Sequence, residues 1–137
     1  MPFAHLRLLG APEEPRFLPR LRVGLPELIA TILAKEARLT AVVVEQVPAG
    51  AWAVGGAPIP VGAHLVVTVT AGTNSPQQKA TFVAEAAKLL RAELGRSLPQ
   101  ATYVVVDEVP AESWGYDGLT QAARRPKVVD GPSGGPD

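Results

Sequence analysis

Pro2 directly follows Met1 and is the residue of this sequence best suited to chemistry. If Met1 is removed, the nitrogen of Pro2 becomes a secondary amine, whereas proline inside a chain is a non-basic amide. An α-amino group titrates near pH ~8, and burial in an apolar pocket lowers that pKa. Such a neutral amine can take a proton from a carbon beside a carbonyl, or attack the carbonyl itself. The alternative is that Pro2 is only a tolerated residue at a chain end.

The composition argues against several other classes of protein. The 137 residues suffice for one domain, and 13 basic residues balance 13 acidic ones, which predicts no nucleic-acid or membrane-surface binding. Cysteine is absent, and neither of the two histidines has metal-ligand spacing, so we expect no metal and no cofactor. No signal peptide or membrane-spanning stretch is evident, which favours a cytoplasmic protein.

The chain contains an internal repeat. Residues 4–6 recur as 63–65, residues 40–49 resemble 102–111, and Trp52 is matched by Trp114. Repeats in the same order indicate a duplicated unit. We therefore predict one domain over 1–125, built from βαβ repeats 1–58 and 61–125, and a flexible C-terminal tail over 126–137. In this alignment Val61 takes the place of Pro2, which predicts a single active site, and His5 matches His64, which favours a structural role for both.

Each repeat has the pattern of a strand, a helix, a strand and a hairpin. The second helix is predicted to begin after Asn74-Ser75, with Pro76 at its first position, and to end at Gly95. The prolines before Leu25 predict that the first helix is kinked or begins near that residue. Two βαβ units give a four-stranded sheet with two helices on one face. Its strands look apolar on both sides, so we expect an oligomer to cover the other face. The predicted strands are 3–9, 41–47, 65–70 and 103–109.

Three segments carry a resemblance to a known family: Met1-Pro2 before a strand, the helix start at 75–79, and the stretch VVVDEVPAESWG at 104–115. They resemble the 4-oxalocrotonate tautomerase family of the tautomerase superfamily, as a tandem-fused two-unit member. The resemblance implies an α/β (α+β), tautomerase/MIF-like fold that forms a homotrimer. It also implies an isomerase acting on a small-molecule carbonyl substrate, in which Pro2 is the general base for keto–enol tautomerisation of a 2-oxo or 2-hydroxy-enoic acid.

Other functions remain open on the same scaffold. One is a non-catalytic oligomeric scaffold or binding protein, and another is a hydratase, dehalogenase or decarboxylase. The arginines with which relatives of this family hold dicarboxylates are missing from the expected places, near Ala11 and Thr73 and at Ala41 and Tyr103. The absence of this carboxylate clamp weakens the expectation of a dicarboxylate substrate.

The resemblance also implies residues around the substrate. Trp52 or Trp114 is expected to wall the pocket, although both are equally well explained as hairpin anchors. Tyr103 is a candidate pocket hydroxyl. Arg7 is a candidate substitute for the missing arginines, and the others considered are Arg20, Arg22 and Lys35, all of which also suit the protein surface.

Overall fold

The computed structural model describes residues 1–125, and the tail predicted over 126–137 lies outside the described residues. A four-stranded sheet has the order β2-β1-β5-β6. Within each half the two strands are parallel, and β1 and β5 meet antiparallel at the centre. This is the mixed α+β architecture predicted from the repeats. The strands are β1 (Phe3–Leu9), β2 (Ala41–Gln46), β5 (Gly62–Thr70) and β6 (Tyr103–Val109).

Helix α2 (Pro76–Leu94) has the predicted start and end. The Ser75 hydroxyl accepts a hydrogen bond from the Gln78 amide, and the Gln78 side chain accepts one from the Ser75 amide. This reciprocal cap satisfies backbone donors that have no partner inside the helix, and proline loses nothing at the first position. The helix buries Phe82, Ala86 and Leu90 against the sheet.

Helix α1 (Phe17–Leu33) begins eight residues before Leu25, so the predicted late start is wrong. Pro19 lies in the first turn, where backbone amides have no partner inside the helix. Pro26 lies in the interior and removes one backbone hydrogen bond. The helix nevertheless places an apolar residue on the core in each of five turns, and this burial outweighs the cost of Pro26. The five buried residues are Phe17, Leu21, Leu25, Ile29 and Leu33.

The sheet face turned away from the helices is mixed rather than apolar on every strand. Phe3, Val43 and Val105 are exposed apolar residues on this face, but they alternate with polar and charged side chains. The prediction of a second apolar face is therefore correct only in part. The polar residues of this face are His5, Arg7, Glu45, His64, Thr68 and Asp107.

Each half ends in a small hairpin that follows its tryptophan. The first consists of β3 (Ala53–Val54) and β4 (Ala57–Pro58), and the second of β7 (Gly115–Tyr116) and β8 (Leu119–Thr120). Both turns have positive φ at their two central residues, Gly55-Gly56 and Asp117-Gly118, which is the geometry of tight two-residue hairpins. A short helix that the sequence did not predict, α3 (Gln121–Arg124), follows the second hairpin. A 3₁₀ turn at Ala37–Leu39 precedes β2.

The strand registers correct the alignment of the two halves. Phe3 pairs with Ala41 and His64 pairs with Tyr103, so His64 takes the place of Phe3 if Ala41 matches Tyr103. Ala63, rather than Val61, is then the counterpart of Pro2. His5 and His64 are not equivalent, since His5 lies opposite Val66 and His64 lies opposite Arg7.

The buried residues of the helices agree with this corrected alignment. Leu21, Leu25 and Ile29 of α1 then match Phe82, Ala86 and Leu90 of α2 in order. In residues 1–125 no helix combines the length and apolar character needed to cross a membrane.

Candidate active site

Pro2 is buried immediately before β1, at the wall of a cavity of about 300 Å³. Its carbonyl accepts a hydrogen bond from the Ala41 amide at 3.3 Å, which fixes the start of the chain against β2. The cavity is lined by residues 1–3, by Ala41 and Thr68 of the sheet, and by Trp114–Tyr116 and Gln121 of the second half. We call this cavity the N-terminal pocket. It combines the start of the first half with the hairpin of the second.

The terminal amine at this pocket has a strongly altered pKa. Burial and, to a smaller extent, the positive charge of Lys35 lower the pKa of the Met1 amine, Glu36 opposes them, and the resulting pKa is about 5. An amine with this pKa is neutral at pH ~7 and available as a base. Burial and the nearby Lys35 therefore both favour the neutral form of an amine at this end of the chain.

Lys35 is the cation of this environment. Only 6% of its surface is exposed, and its Nζ donates to the Thr73 hydroxyl at 2.7 Å. That hydroxyl in turn donates to the Thr70 carbonyl at 2.6 Å. Burial lowers the pKa of Lys35 to about 8, with a contribution from Arg125. Lys35 thus remains mostly protonated at neutral pH, close to the terminal amine.

In the sequence, Lys35 suited the surface as well as a site. One signal was available, because it is the first lysine of the chain and follows the apolar end of α1. Helix α1 ends at Ala34, which has a left-handed backbone (φ 57°), and Lys35 comes directly after this turn.

Trp114 lies in the N-terminal pocket, as one of the two predicted alternatives required. Its indole Nε1 donates to the Thr70 hydroxyl at 3.3 Å, and its carbonyl accepts from the Gln121 amide at 2.9 Å. Strand β5 therefore holds the indole ring, and helix α3 holds the Trp114 backbone. The ring gives the N-terminal pocket an apolar wall.

Gln121 also lines the N-terminal pocket, although the sequence did not single it out. The residue is 1% exposed, and its Oε1 is buried without a hydrogen-bond partner among the described residues. Helix α3 is capped by the Thr120 hydroxyl, which accepts from the Ala123 amide at 3.0 Å. A buried amide oxygen without a partner is costly and suits a ligand that donates a hydrogen bond.

Tyr116 completes the hairpin side of the pocket. The Arg124 guanidinium lies 3.8 Å from the centre of the Tyr116 ring and donates to the Tyr116 carbonyl at 2.8 Å. This cation–π contact and hydrogen bond attach the hairpin to α3.

The structure places the remaining predicted site residues away from the N-terminal pocket. Trp52 and Arg7 line a different cavity of about 310 Å³, together with His64, Val47 and Ala51. Tyr103 pairs with His64 in the sheet and is 65% exposed. We call the cavity of Arg7, Trp52 and His64 the second pocket. Within one chain, Pro2 and Trp114 therefore line the N-terminal pocket, Arg7 and Trp52 line the second pocket, and Tyr103 lines neither.

Comparison with known proteins supports the resemblance seen in the sequence. Residues 64–124 match the family described as Tautomerase enzyme. No curated protein matches the sequence.

Several solved structures share the fold. A native fused 4-OT is 20% identical, with a TM-score of 0.77 over 89% of this chain and 98% of its own. A fused 4-OT described as an asymmetric trimer is also 20% identical, with a TM-score of 0.76 over 88% of this chain and 97% of its own. The macrophage migration inhibitory factor-like protein of Entamoeba histolytica is 19% identical, with a TM-score of 0.69 over 87% of this chain and 97% of its own.

These structures match both halves of the chain, and at such identities the likeness concerns the fold. Together with the family match of the second half, it confirms the resemblance carried by the motifs of the sequence. Residues 64–124 thus carry the signature of the Tautomerase enzyme family, and the whole chain has the fold of the tandem-fused 4-OT structures.

Proposed function

We propose that the protein is a tautomerase in which Pro2, after removal of Met1, is the general base. The observation that carries this proposal is the position of Pro2, which is buried at the wall of the N-terminal pocket, where the Met1 amine beside it has a pKa lowered to about 5. A proline amine held in the same pocket is neutral at physiological pH, and this is the state that accepts a proton.

The reaction is an isomerisation of a 2-oxo acid and its 2-hydroxy-enoic form. The Pro2 nitrogen takes a proton from the carbon beside the 2-oxo group, the electron pair of that C–H bond forms the C=C bond, and the π pair of the C=O bond moves to the oxygen. The protonated amine then gives the proton to that oxygen. In the reverse direction the enol proton is returned to carbon, and no atom is gained or lost in either direction.

Lys35 and Gln121 are proposed to hold the substrate. The ammonium group of Lys35 is buried near the amine and can pair with the substrate carboxylate or with the enolate oxygen. The unpartnered Oε1 of Gln121 can accept the enol hydroxyl proton in a hydrogen bond. Lys35 thereby replaces the arginines that the sequence lacks at the usual places.

We further propose that the chain acts as a homotrimer, with residues 1–125 forming one domain of two βαβ repeats. The fused 4-OT relative is described as a trimer. Exposed Phe3, Val43 and Val105 on the helix-free sheet face supply apolar surface for contact with other copies.

Covalent labelling of the amine tests the central assignment. One related protein of this fold, Pt0534, is described as inactivated by 2-oxo-3-pentynoate; it is 15% identical, with a TM-score of 0.78 over 89% of this chain and 98% of its own. In this compound an amine can add to the triple bond, forming an N–C bond while a proton moves to the neighbouring carbon. We expect intact-mass analysis to show a chain without Met1 that gains one whole molecule of the compound at Pro2.

A chain that keeps Met1 would contradict this mechanism, because the Pro2 nitrogen would then be an amide. It would favour the non-catalytic scaffold instead. Labelling at a lysine with no label at residue 2 would equally overturn the assignment.

The pKa values predict a bell-shaped pH profile. We expect kcat/KM for phenylpyruvate to rise as pH increases through the pKa of the terminal amine, about 5 for Met1 in this environment, because the base must be neutral. It should fall above the pKa of Lys35, about 8, because the substrate carboxylate then loses its cation. Lys35→Arg should move the falling limb to higher pH, since arginine stays charged. An unmoved limb would show that Lys35 is not the group responsible.

A further inference from the structure

The second pocket occupies the place in one half that the N-terminal pocket occupies in the other. In the antiparallel pairing of β1 with β5, Phe3 lies opposite Thr68 and His64 lies opposite Arg7. With His64 in the place of Phe3, Arg7 takes the place of Thr68. Trp52 takes the place of Trp114, and each tryptophan precedes the hairpin of its own half. The two pockets are therefore built to one plan.

Two basic side chains of the second pocket replace an uncharged and an apolar side chain of the N-terminal pocket. Arg7, His64 and Trp52 line the second pocket, and the cavities are of similar size, about 310 and 300 Å³. The counterparts of Arg7 and His64 in the N-terminal pocket are an uncharged threonine and a phenylalanine. Ala63 stands in the place of Pro2, so this pocket has no amine that could act as a base.

The polar atoms of this pocket are only partly engaged. The Nδ1 atom of His64 is buried without a hydrogen-bond partner among the described residues. Arg7 contacts Glu45 through Nε at 3.6 Å, a distance too long for a hydrogen bond, while His5 makes the closer contact with Glu45 at 2.7 Å. Burial lowers the pKa of His64, and the charges of Arg7 and His5 lower it further. His64 is therefore favoured as a neutral imidazole, and Arg7 supplies the positive charge of this pocket that an anionic ligand can pair with.

Trp52 gives the pocket a flat apolar wall with a fixed position. A Cβ added to Gly62 would lie 3.0 Å from the Trp52 ring, so the indole packs directly on the backbone of β5. The amide of Ile59 donates to the Trp52 carbonyl at 3.1 Å, which holds the residue at the start of its hairpin. An aromatic or apolar group of a ligand can stack on this ring.

We propose that the second pocket is a non-catalytic binding site for a small carboxylate that carries an apolar or aromatic group. Arg7 pairs with the carboxylate, His64 contributes a hydrogen bond through Nδ1, and Trp52 contacts the apolar part. His5, Glu45 and Tyr103 are other charged or titratable groups beside these residues. Among residues 1–125 no group of three or more histidine, cysteine or carboxylate side chains suits a metal ion, and the arginine favours an anion.

The two tryptophans of the chain provide a separate optical reporter for each pocket. In Trp114→Phe protein, only Trp52 remains, and phenylacetate is a suitable unreactive probe. We expect phenylacetate to change the Trp52 emission in a saturable manner. Adding Arg7→Gln should weaken this binding about tenfold, because a charged hydrogen bond to the carboxylate is lost.

The matched control is Trp52→Phe protein, in which only Trp114 remains. There, Arg7→Gln should leave the emission of Trp114, its response to phenylacetate and the oligomer size unchanged, which shows that the fold is intact. If Arg7→Gln disturbs the fold, His64→Phe replaces it, since phenylalanine holds that place in the N-terminal pocket. This change should weaken binding to the Trp52 reporter by about threefold.

A Trp52 emission that stays unchanged up to the solubility limit of phenylacetate would overturn the proposal. Equal binding of phenylacetate with and without the Arg7→Gln substitution would overturn it as well. Both readouts are independent of amine chemistry at Pro2. Failure of the tautomerase proposal and failure of the second-pocket proposal can therefore be distinguished.

Discussion

The two pockets share a scaffold and differ in a few side chains. Each lies where a strand of one half meets the tryptophan-bearing hairpin of the other, and their volumes are close. The N-terminal pocket has Pro2, Phe3 and Thr68, whereas the second pocket has Ala63, His64 and Arg7 in the matching places. The buried helix residues that support the two pockets match in order. If the two proposals hold, the difference between the pockets lies in these side chains, since the scaffold is the same.

The two halves also differ in the burial of the cation that follows each main helix. Lys35, which follows α1, is buried, and its charge lowers the pKa of the terminal amine. The corresponding residue after α2 is Arg96, which is exposed. A buried cation beside an amine is costly in free energy, because both groups lose water and repel each other. The protein keeps this arrangement in only one half, which is typical of a functional site.

Substitution of Pro2, the proposed general base, should change kcat/KM more than substitution of any residue of the second pocket. We expect Pro2→Ala to lower kcat/KM for phenylpyruvate ketonisation by a factor of about 10² to 10⁴, the usual contribution of a general base. Ala63→Gly, at the matching place, should leave the rate within about twofold, because that residue does not touch the reacting atoms. Steady-state kinetics with intact-mass control of Met1 removal measures both. Equal rates for wild type and Pro2→Ala would exclude Pro2 as the base.

Loss of the buried cation should have the next largest effect. Lys35→Met should lower kcat/KM by about tenfold to a hundredfold, because a charge-assisted hydrogen bond to the substrate is lost. It should also raise the pKa of the terminal amine, since a neighbouring positive charge is gone. Arg96→Gln is the matched control and should change neither quantity. Similar losses in the two variants would mean that Lys35 acts through stability alone.

Replacement of Trp114 or Trp52 by leucine tests the aromatic side chain of each pocket in turn. Trp114→Leu should lower kcat/KM by about tenfold, since water then reaches the amine and raises its pKa toward the ordinary value. Trp52→Leu should leave catalysis unchanged while abolishing phenylacetate binding in the second pocket. A pH profile of each variant separates loss of desolvation from loss of folding. The assignment of the two walls fails if Trp52→Leu is the more damaging change.

The smallest effect is expected at Gln121. Gln121→Leu removes a buried acceptor but keeps the size of the side chain, so kcat/KM should fall only about threefold to tenfold, the value of one neutral hydrogen bond. Because the amide oxygen has no partner among the described residues, the thermal stability of the variant should equal or exceed that of wild type. Calorimetry tests this point, and a strongly lowered Tm would show that Gln121 serves the fold rather than the substrate.

Local signals in the sequence were sufficient to predict much of the fold. Ser75, Pro76 and Gly95 mark the ends of α2 through capping chemistry that involves only neighbouring residues. The start of α1 was missed because the cost of proline was weighed without the core, into which Phe17 and Leu21 bury their side chains. Local rules underestimate such a helix, since its stability comes from tertiary packing.

The alignment of the halves was misjudged for a different reason. Side chains in a strand alternate between faces, so a shift of two residues leaves the buried face unchanged. The short match of 4–6 with 63–65 therefore agreed with the burial pattern and still gave Val61 as the counterpart of Pro2. Only the pairing of His64 with Tyr103 identifies Ala63.

The lining of the N-terminal pocket was predicted in part. Pro2 was expected from the family resemblance and the chemistry of a terminal proline, and Trp114 was one of two alternatives. Lys35 was one of several candidate cations and Gln121 was not considered, because their burial depends on contacts with Thr73 and with the N-terminal pocket that are distant in sequence. Division of the predicted residues between two pockets likewise required the antiparallel pairing of β1 with β5.

Each pocket is lined by residues of both halves, which has a consequence for how the two halves evolve. If the halves were separate polypeptides, each could pair either with a copy of itself or with the other half. A half with Pro2 could then assemble with a second copy of itself, which lacks Trp114. A single reading frame removes that competition, because every half with Pro2 is synthesised together with the half that carries Trp114. Covalent linkage thus keeps one N-terminal pocket and one second pocket in every chain. Substitutions can then change the side chains of one pocket without changing those of the other.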